Sequence, residues 1–169
     1  MASNISDVKA NIPFVKTSYK KSVALGEKAT GDAYKMTVEG YPDLEFLVSA
    51  TQLPPLAREQ VESYGPHGVK FVQQGRFKNA VDVTITFSET LKGHAYKAIR
   101  DWVANKKYLT VTLALVSEGG ETVPATSFTF ENTWLELDGV DLSTEDNTVL
   151  KASGTLHVNW FDPAATSSS

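Results

Sequence analysis

Residues 81–115 read VDVTITFSETLKGHAYKAIRDWVANKKYLTVTLAL and contain the clearest structural pattern of the chain. Its first seven and last seven residues alternate apolar and polar side chains, a period of two that is typical of strands with one buried face. Between them, apolar residues recur at three- and four-residue spacing over about 89–106, which indicates a helix. The sequence therefore predicts a strand, a helix and a second strand in succession.

The predicted helix has one apolar face and should lie on the sheet, because a docked helix requires such a stripe. That face comprises Leu91, Ala95, Ile99, Trp102 and Val103, and the last four are expected to make the helix-to-sheet packing. We expect Ser88 to cap the helix start, Glu89 to suit its positive end and Lys106 to suit its negative end.

Further alternating segments lie on both sides of this stretch. Residues 128–137 predict a strand with a bulge near Asn132, and residues 150–160 predict a long last strand. Two short runs, 34–38 and 44–48, flank a Gly-Tyr-Pro-Asp turn and predict a hairpin, and Gly119 with Gly120 predicts a second one. All three tryptophans fall at core positions. The fold class is therefore mainly β, an antiparallel β-sandwich or rolled barrel with one flanking helix.

Two stretches have no clear period. Residues 51–79 are rich in proline and glycine and exceed the ~12 to 15 residues beyond which a structureless loop usually has a function. Residues 1–33 predict an N-terminal arm that contacts other subunits and orders only when it does so. The main domain is expected over 34–162, and residues 163–169 are expected to form a flexible tail.

Charge is distributed unevenly along the chain. Residues 1–33 carry five lysines against three acidic residues, whereas residues 108–169 carry nine acidic residues against Lys151 alone. A solvated acidic face explains this asymmetry, and so does a head-to-tail contact between the basic part of one copy and the acidic part of the next.

No site for chemistry is expected, so we predict no enzyme activity, no cofactor and no metal. The chain has no cysteine, which excludes disulfides and thiolate zinc sites. None of His67, His94 and His157 has a partner at a metal-binding offset. The acidic residues 138–146 depart from the spacing of a calcium loop, and no Walker A, G-x-S-x-G or G-x-G-x-x-G string occurs.

The expected environment is cytoplasm-like solvent. No apolar run approaches the ~18 residues that span a bilayer, and the start of the chain has no basic region followed by an apolar stretch. A pI of 5.4 without a basic stripe gives little support to nucleic-acid binding.

The order of these elements resembles a known family. The run Val48-Ser49-Ala50-Thr51-Gln52-Leu53-Pro54 before a long loop, then Gly75-Arg76-Phe77, the strand at 81–87, Ser88-Glu89 and a helix with Asp101-Trp102 are similar to the tail tube proteins of contractile-tailed bacteriophages. The resemblance covers about residues 34–160, and pyocin and type VI secretion tube proteins are similar in fold. The 33 residues before the first strand are more than that family leads us to expect.

The resemblance implies a virion tail protein, assembled in the host cytoplasm, whose hexameric rings stack into a hollow tube. It implies a contractile sheath, baseplate, tail terminator and tape measure protein as partners, with DNA passing through unbound. The expected ring-stacking residues are Phe14, Tyr19, Leu53, Pro54, Leu56, Tyr64, Phe71 and Arg76. The expected lumen-facing residues are Asp82, Thr84, Thr86, Thr110 and Thr112.

Two alternatives stay open. The first is a baseplate tube initiator or hub subunit, or a secretion-system tube. The second is of another class, a β-sandwich ligand-binding module, which would present clustered exposed aromatic side chains.

Overall fold

A computed structural model of the chain describes residues 11–163. The chain divides between residues 30 and 31 into an N-terminal unit and a larger β unit. The predicted tail at 164–169 and the first ten residues of the predicted arm lie outside the described residues. The helices are α1 (Ile12–Ala24) and α2 (His94–Ala104), and the strands are β1 (Tyr34–Val38), β2 (Val48–Thr51), β3 (Arg58–Tyr64), β4 (Lys70–Phe77), β5 (Val81–Ser88), β6 (Leu109–Leu115), β7 (Phe128–Leu137), β8 (Lys151–Val158) and β9 (Trp160–Phe161).

Most strands form one antiparallel sheet in the order β1-β6-β7-β8-β5-β2, with β9 paired to β7. The sheet rolls into a nearly closed barrel. Its two end strands are joined by a side chain, because the Tyr34 hydroxyl of β1 donates to the Val48 carbonyl of β2 at 3.2 Å. The predicted mainly-β, antiparallel fold class is confirmed.

The core lies inside this rolled sheet. In β5, Val81, Val83, Ile85 and Phe87 are buried and the residues between them face outward. Other buried side chains come from β1, β6, β7, β8 and α2, and the bulkiest of them is Trp102. Burial of this alternating apolar set is the main stabilising contribution to the barrel.

The bulge predicted near Asn132 is confirmed. Asn132 has a φ of 52°, and the pairing of β7 with β6 shifts register next to it. As a result Thr133 points inward, where its hydroxyl donates to the Leu109 carbonyl at 2.7 Å, and Trp134 points outward. The prediction that all three tryptophans are core residues is therefore wrong for Trp134 and Trp160, which are 41% and 47% exposed.

The helix predicted over 89–106 is shorter at its start, and Ser88 does not cap it. Gly93 is the N-cap, and Glu89 supplies the capping carboxylate, which accepts hydrogen bonds from the N–H groups of Thr90, Ala95 and Tyr96 at 2.7, 3.1 and 2.7 Å. Leu91 belongs to the preceding turn and is fully exposed. The Glu89 carboxylate thus accepts from the N–H groups of Ala95 and Tyr96, six and seven residues later, and satisfies orphan donors that the side chain of the N-cap residue usually satisfies.

The hairpin predicted from runs 34–38 and 44–48 is wrong. β1 pairs with β6, and β2 pairs with β5 at the other end of the sheet. Residues Pro42–Phe46 form a 3₁₀ turn that buries Leu44. The Gly119–Gly120 hairpin is confirmed, since β6 pairs antiparallel with β7 and Gly120 has a φ of 80° in the connection.

The irregular chain predicted over 51–79 is wrong at its centre, where β3 and β4 form a separate two-stranded antiparallel sheet. The turn between them contains His67 and Gly68, which have φ of 63° and 74°.

In the predicted arm, residues 12–24 form α1, which has Asn11 as a side-chain cap and Pro13 in its first turn. Among the helices of residues 11–163, none has the length and apolar character needed to cross a membrane.

Candidate assembly surfaces

The β3–β4 hairpin, Arg58 to Phe77, is the most exposed part of the β unit. Every residue of β3 is exposed, and so are all residues of β4 except the half-buried Gly75 and Phe77. Several of the exposed side chains are large and apolar: Val61, Tyr64, Val69, Phe71 and Val72. A two-stranded sheet without a covering layer is marginally stable in water, so this hairpin is suited to being covered by another molecule.

The register of the hairpin distributes its apolar groups over both faces. Val61 lies opposite Gln73 and Ser63 opposite Phe71, while Tyr64 lies opposite Lys70 on the other face. The ion pair between Lys70 Nζ and Glu62 Oε1 measures 2.6 Å and lies at the surface. Neither face has enough apolar residues to build a core of its own.

The structure places most of the predicted ring-stacking residues on the hairpin or the segment before it. Leu53, Leu56, Tyr64, Phe71 and Arg76 are exposed there, whereas Pro54 is buried and unavailable to a partner. Phe14 and Tyr19 are exposed on α1, in the N-terminal unit.

Two sheet borders form a second surface. β1 pairs through one side with β6, and β2 pairs through one side with β5. No strand of residues 11–163 pairs with the other side of either, so each presents a row of backbone donors and acceptors. These borders are suited to pairing with a strand of another chain.

The predicted lumen-facing residues lie on the outer face of the rolled sheet, opposite the core. Asp82, Thr84 and Thr86 come from β5, and Thr110 and Thr112 come from β6. β8 and β7 separate the two groups. Hydroxyl groups continue between them, and Thr86 Oγ1 lies 3.1 Å from Ser153 Oγ on β8.

A cluster of one histidine and two carboxylates on this outer face was not predicted from the sequence. His157 of β8 has Nδ1 2.6 Å from Asp82 Oδ1 on β5, and Nε2 3.2 Å from Glu136 Oε2 on β7. Trp134 stacks on the His157 ring with a centroid separation of 3.9 Å. The carboxylates approach different ring nitrogens and do not converge on one point, and the described residues contain no group of three His, Asp or Glu side chains suited to a metal. Only the pairing register brings these strands together, so no local motif could have revealed the cluster.

An ionic cluster ties α2 to the turn after β1. Asp101 accepts hydrogen bonds from the Tyr41 hydroxyl, from Lys107 Nζ at 2.6 Å and from Asn105 Nδ2 at 2.5 Å. The Lys107 and Tyr41 hydrogen bonds lower the pKa of Asp101 to about 2, and the Asp101 carboxylate raises the pKa of Lys107. The cluster is surface-exposed and holds the start of the 3₁₀ turn against the helix end.

Of the residues predicted to pack the helix on the sheet, Ala95, Ile99 and Trp102 are buried and belong to the core cluster or its border. Val103 is half exposed. With Tyr108 and Trp134 it lines an open groove at the C-terminal end of α2.

Desolvation raises the pKa of Glu89, but its backbone hydrogen bonds and His94 outweigh that effect, so the pKa is below its ordinary value and the cap is ionised.

Comparison with solved structures identifies the class of fold. A chain of the extracellular contractile injection system PVC sheath–tube complex in the extended state matches with a TM-score of 0.64 at 14% identity, over 84% of this chain and 95% of that chain. A chain of the anti-feeding prophage tube-terminating cap matches with a TM-score of 0.65 at 14% identity, over 96% and 97%. The SPP1 tail tube matches with a TM-score of 0.57 at 13% identity, over 79% and 77%.

No protein-family model matches the chain. No curated protein matches it in sequence either. At the identities of the solved structures the likeness shows the fold, and that fold is the one found in tail tubes and contractile injection systems. The sequence resemblance to tail tube proteins is thereby confirmed at the level of fold.

Proposed function

We propose that this chain is a structural, non-enzymatic subunit of a phage tail tube, in which hexameric rings stack into a hollow conduit for DNA inside a contractile sheath. The observation that carries the proposal is a tube-type barrel with an apolar hairpin that is exposed in the structure of residues 11–163. Two distinct contacts are needed, one that closes a ring and one that stacks rings.

Sheet borders close the ring in this proposal. The outer sides of β1 and β2 lie at the two ends of the rolled sheet. If the Tyr34–Val48 hydrogen bond between these two borders opens and β1 of one subunit pairs with β2 of the next, the sheets join into a continuous wall and the open edges disappear. An unpaired edge is an aggregation hazard in a monomer and becomes the assembly interface in a ring.

The hairpin stacks the rings. Its exposed Tyr64 and Phe71 supply apolar area, and Leu53 and Leu56 extend that area toward the barrel. Arg76 adds a charged group near the hairpin base. Covering this hairpin with the adjacent ring would bury its apolar side chains, and the same contact would stabilise both the two-stranded sheet and the stack of rings.

The outer sheet face lines the bore. Thr84, Thr86, Thr110 and Thr112 present hydroxyls, and Asp82 with Glu136 presents carboxylates on either side of His157. Such a wall offers DNA no basic stripe, and its carboxylates repel phosphates. DNA would therefore pass without binding.

The location and partners follow from the same assembly. A tube inside a sheath belongs in a virion tail that assembles in the host cytoplasm. Its partners are copies of itself, a sheath protein, a baseplate, a tail terminator and a tape measure protein in the bore. The solved complexes that share the fold include a sheath–tube complex, a sheath/tube terminator and a baseplate, which supports this set in part.

Electron microscopy of the purified chain tests the proposal. We expect negative-stain images at high concentration to show rings and tubes of the wild-type chain. The double variant Tyr64→Ser/Phe71→Ser should form rings and few tubes, because the stacking surface is lost. Leu91→Ser is the matched control, since Leu91 is fully exposed and apolar but lies outside the hairpin. A wild-type chain that stays monomeric at every concentration and salt condition would refute the proposal.

Two alternatives remain within reach of simple tests. A tube initiator, hub or secretion-system tube would use the same fold, and a chain of the anti-feeding prophage baseplate shares it. Copy number in particles separates these roles, because a tube subunit is among the most abundant proteins of a virion. A ligand-binding module is favoured by one observation, the exposed pair Trp134 and Tyr108 beside a groove. Monomeric behaviour would favour that module.

A further inference from the structure

Helix α1, in the N-terminal unit, has an exposed apolar face. None of its thirteen residues is buried. Ile12, Val15, Tyr19 and Val23 are 71%, 58%, 67% and 58% exposed. They recur at spacings of three and four residues, so they form one apolar stripe along the helix.

The stripe has a basic border. Lys16 and Lys20 are four residues apart and lie in a row beside it, and Lys21 adds a third positive charge. The helix contains no acidic residue between Ile12 and Ala24. A helix of this length is marginally stable in water when isolated, because the free-energy cost of nucleating it exceeds the stabilisation gained from a few turns of hydrogen bonds. It therefore needs a partner surface that is apolar in the middle and acidic at the side.

The β7–β8 connection has that complementary chemistry. Residues 138–149 contain Asp138, Asp141, Glu145 and Asp146 and no lysine or arginine. Leu142 lies between these carboxylates and Val149 follows them, and the two side chains are 82% and 62% exposed. The segment lies in the acidic third of the chain, which carries the charge opposite to that of α1.

We propose that the apolar stripe of α1 docks on the 138–149 segment of a second copy of this chain, with Lys16 and Lys20 opposite its carboxylates. This inference rests on the proposed function, because it describes a contact between assembled copies. The two surfaces differ, so the contact is heterologous and repeats from copy to copy, either around a closed ring or along an open stack. Each contact is small, but a tube repeats it many times, and the summed effect ties subunits together.

Cross-linking between differently labelled copies tests the contact directly. The chain has no cysteine of its own, so each variant introduces its only thiol. A chain with Tyr19→Cys is mixed with a chain with Leu142→Cys under assembly conditions and oxidised. We expect a covalent dimer on non-reducing gels that contains one chain of each kind. Leu91→Cys replaces Leu142→Cys in the control mixture, and it should give no more dimer than dilute, unassembled protein.

Charge reversal gives an independent measurement. Lys16→Glu/Lys20→Glu should raise the concentration needed for half-maximal assembly about tenfold, since like charges then face each other at the contact. Asp141→Lys/Glu145→Lys should do the same, and a chain with all four changes should assemble nearly as well as wild type. Higher salt should weaken the wild-type contact and narrow these differences.

The outcomes separate this inference from the proposed function. Tubes assembled from the mixed Tyr19→Cys and Leu142→Cys chains that give no more covalent dimer than the control mixture would overturn the docking of α1 and leave the tube role standing. A cross-link that forms within one chain, seen when both cysteines are placed in the same dilute molecule, would overturn it as well. A wild-type chain that makes neither rings nor tubes would overturn the proposed function itself.

Discussion

The barrel sheet and the β3–β4 hairpin are made of similar strands and differ in what covers them. In β5 every second residue is apolar, and four side chains of one face enter the core. In β3 and β4 the apolar residues are fewer, and Phe71 and Val72 are adjacent in sequence, so they point to opposite faces. One region completes its own packing, and the other is left for a partner.

The chain therefore contains a barrel, here called the scaffold, that is stable by its own packing and a β3–β4 hairpin whose stability depends on assembly. The scaffold should respond strongly to changes in single buried residues. The hairpin should respond weakly as long as the protein is monomeric, because its side chains already contact water.

Replacing Trp102 should have the largest effect. Trp102 is 1% exposed, and Trp102→Ala should lower the free energy of unfolding by about 3 to 5 kcal/mol, because a buried indole leaves a large cavity. Denaturant titration followed by circular dichroism measures this. Trp134→Ala is the control, and it should cost about 1 kcal/mol because the ring is 41% exposed and stacks on the surface residue His157. Equal losses at both positions would show that the barrel interior is not the dominant core.

Two glycines allow a matched test of barrel against hairpin. A Cβ on Gly154 would lie 2.2 Å from the Glu136 carbonyl oxygen and 2.9 Å from Leu137 Cα, and these backbone atoms cannot move aside without breaking the β7–β8 pairing. Gly154→Ala should therefore destabilise the barrel by about 1 to 3 kcal/mol.

In the hairpin, a Cβ on Gly75 would lie 2.9 Å from Val61 Cγ2 and 3.2 Å from the Glu59 carbonyl oxygen. The nearest atom belongs to an exposed side chain, so it can rotate away, and Gly75→Ala should cost less than about 1 kcal/mol. Thermal unfolding of both variants checks the order. A more damaging change at Gly75 would mean that the hairpin is as rigidly packed as the barrel.

Acid should weaken the link between α2 and the turn after β1. The folded pKa of Asp101 is about 2, below its ordinary value of 3.8, so its contribution is fully present above that ordinary value and is lost as the pH falls toward 2. Asp101→Asn should remove this part of the acid dependence and leave the remainder unchanged. Free energies of unfolding measured across this pH range for both chains provide the test. The effect should be smaller than either core change, because exposed ion pairs contribute little.

The barrel could be predicted from the sequence because its strands alternate strongly. The β5 pattern and the Asn132 bulge follow from local residues, and both are found. The pairing of β1 with β6 could not be predicted, because the short runs at 34–38 and 44–48 suggested a local hairpin. In the structure most of the second run belongs to the 3₁₀ turn, and β2 after it lies at the other end of the rolled sheet. Trp134 was predicted to point into the core, but the bulge at Asn132 turns its side chain to the outer face of the sheet.

The candidate surfaces divide in the same way. Threonine alternation identified the outer face of β5 and β6 without any knowledge of pairing. The Asp82–His157–Glu136 cluster depends on three strands that are far apart in sequence, so no local sequence pattern could predict it. The hairpin strands were missed because REQVESY and KFVQQGRF have too few apolar residues to alternate clearly. That weakness is the property that leaves them uncovered.

Polar substitution in the hairpin should have the smallest effect on the monomer. Phe71→Ser should change the free energy of unfolding by less than about 0.5 kcal/mol at concentrations too low for assembly, because Phe71 already contacts water. Val83→Ser in β5 is the matched control. It should cost about 3 kcal/mol, since it leaves a cavity and buries a hydroxyl. Sedimentation at high concentration measures tube formation. There Phe71→Ser should have a clear effect and reduce tube formation, although its monomer folds normally. If Phe71→Ser destabilised the monomer as much as Val83→Ser, the hairpin would be packed against its own chain and could not be reserved for a partner.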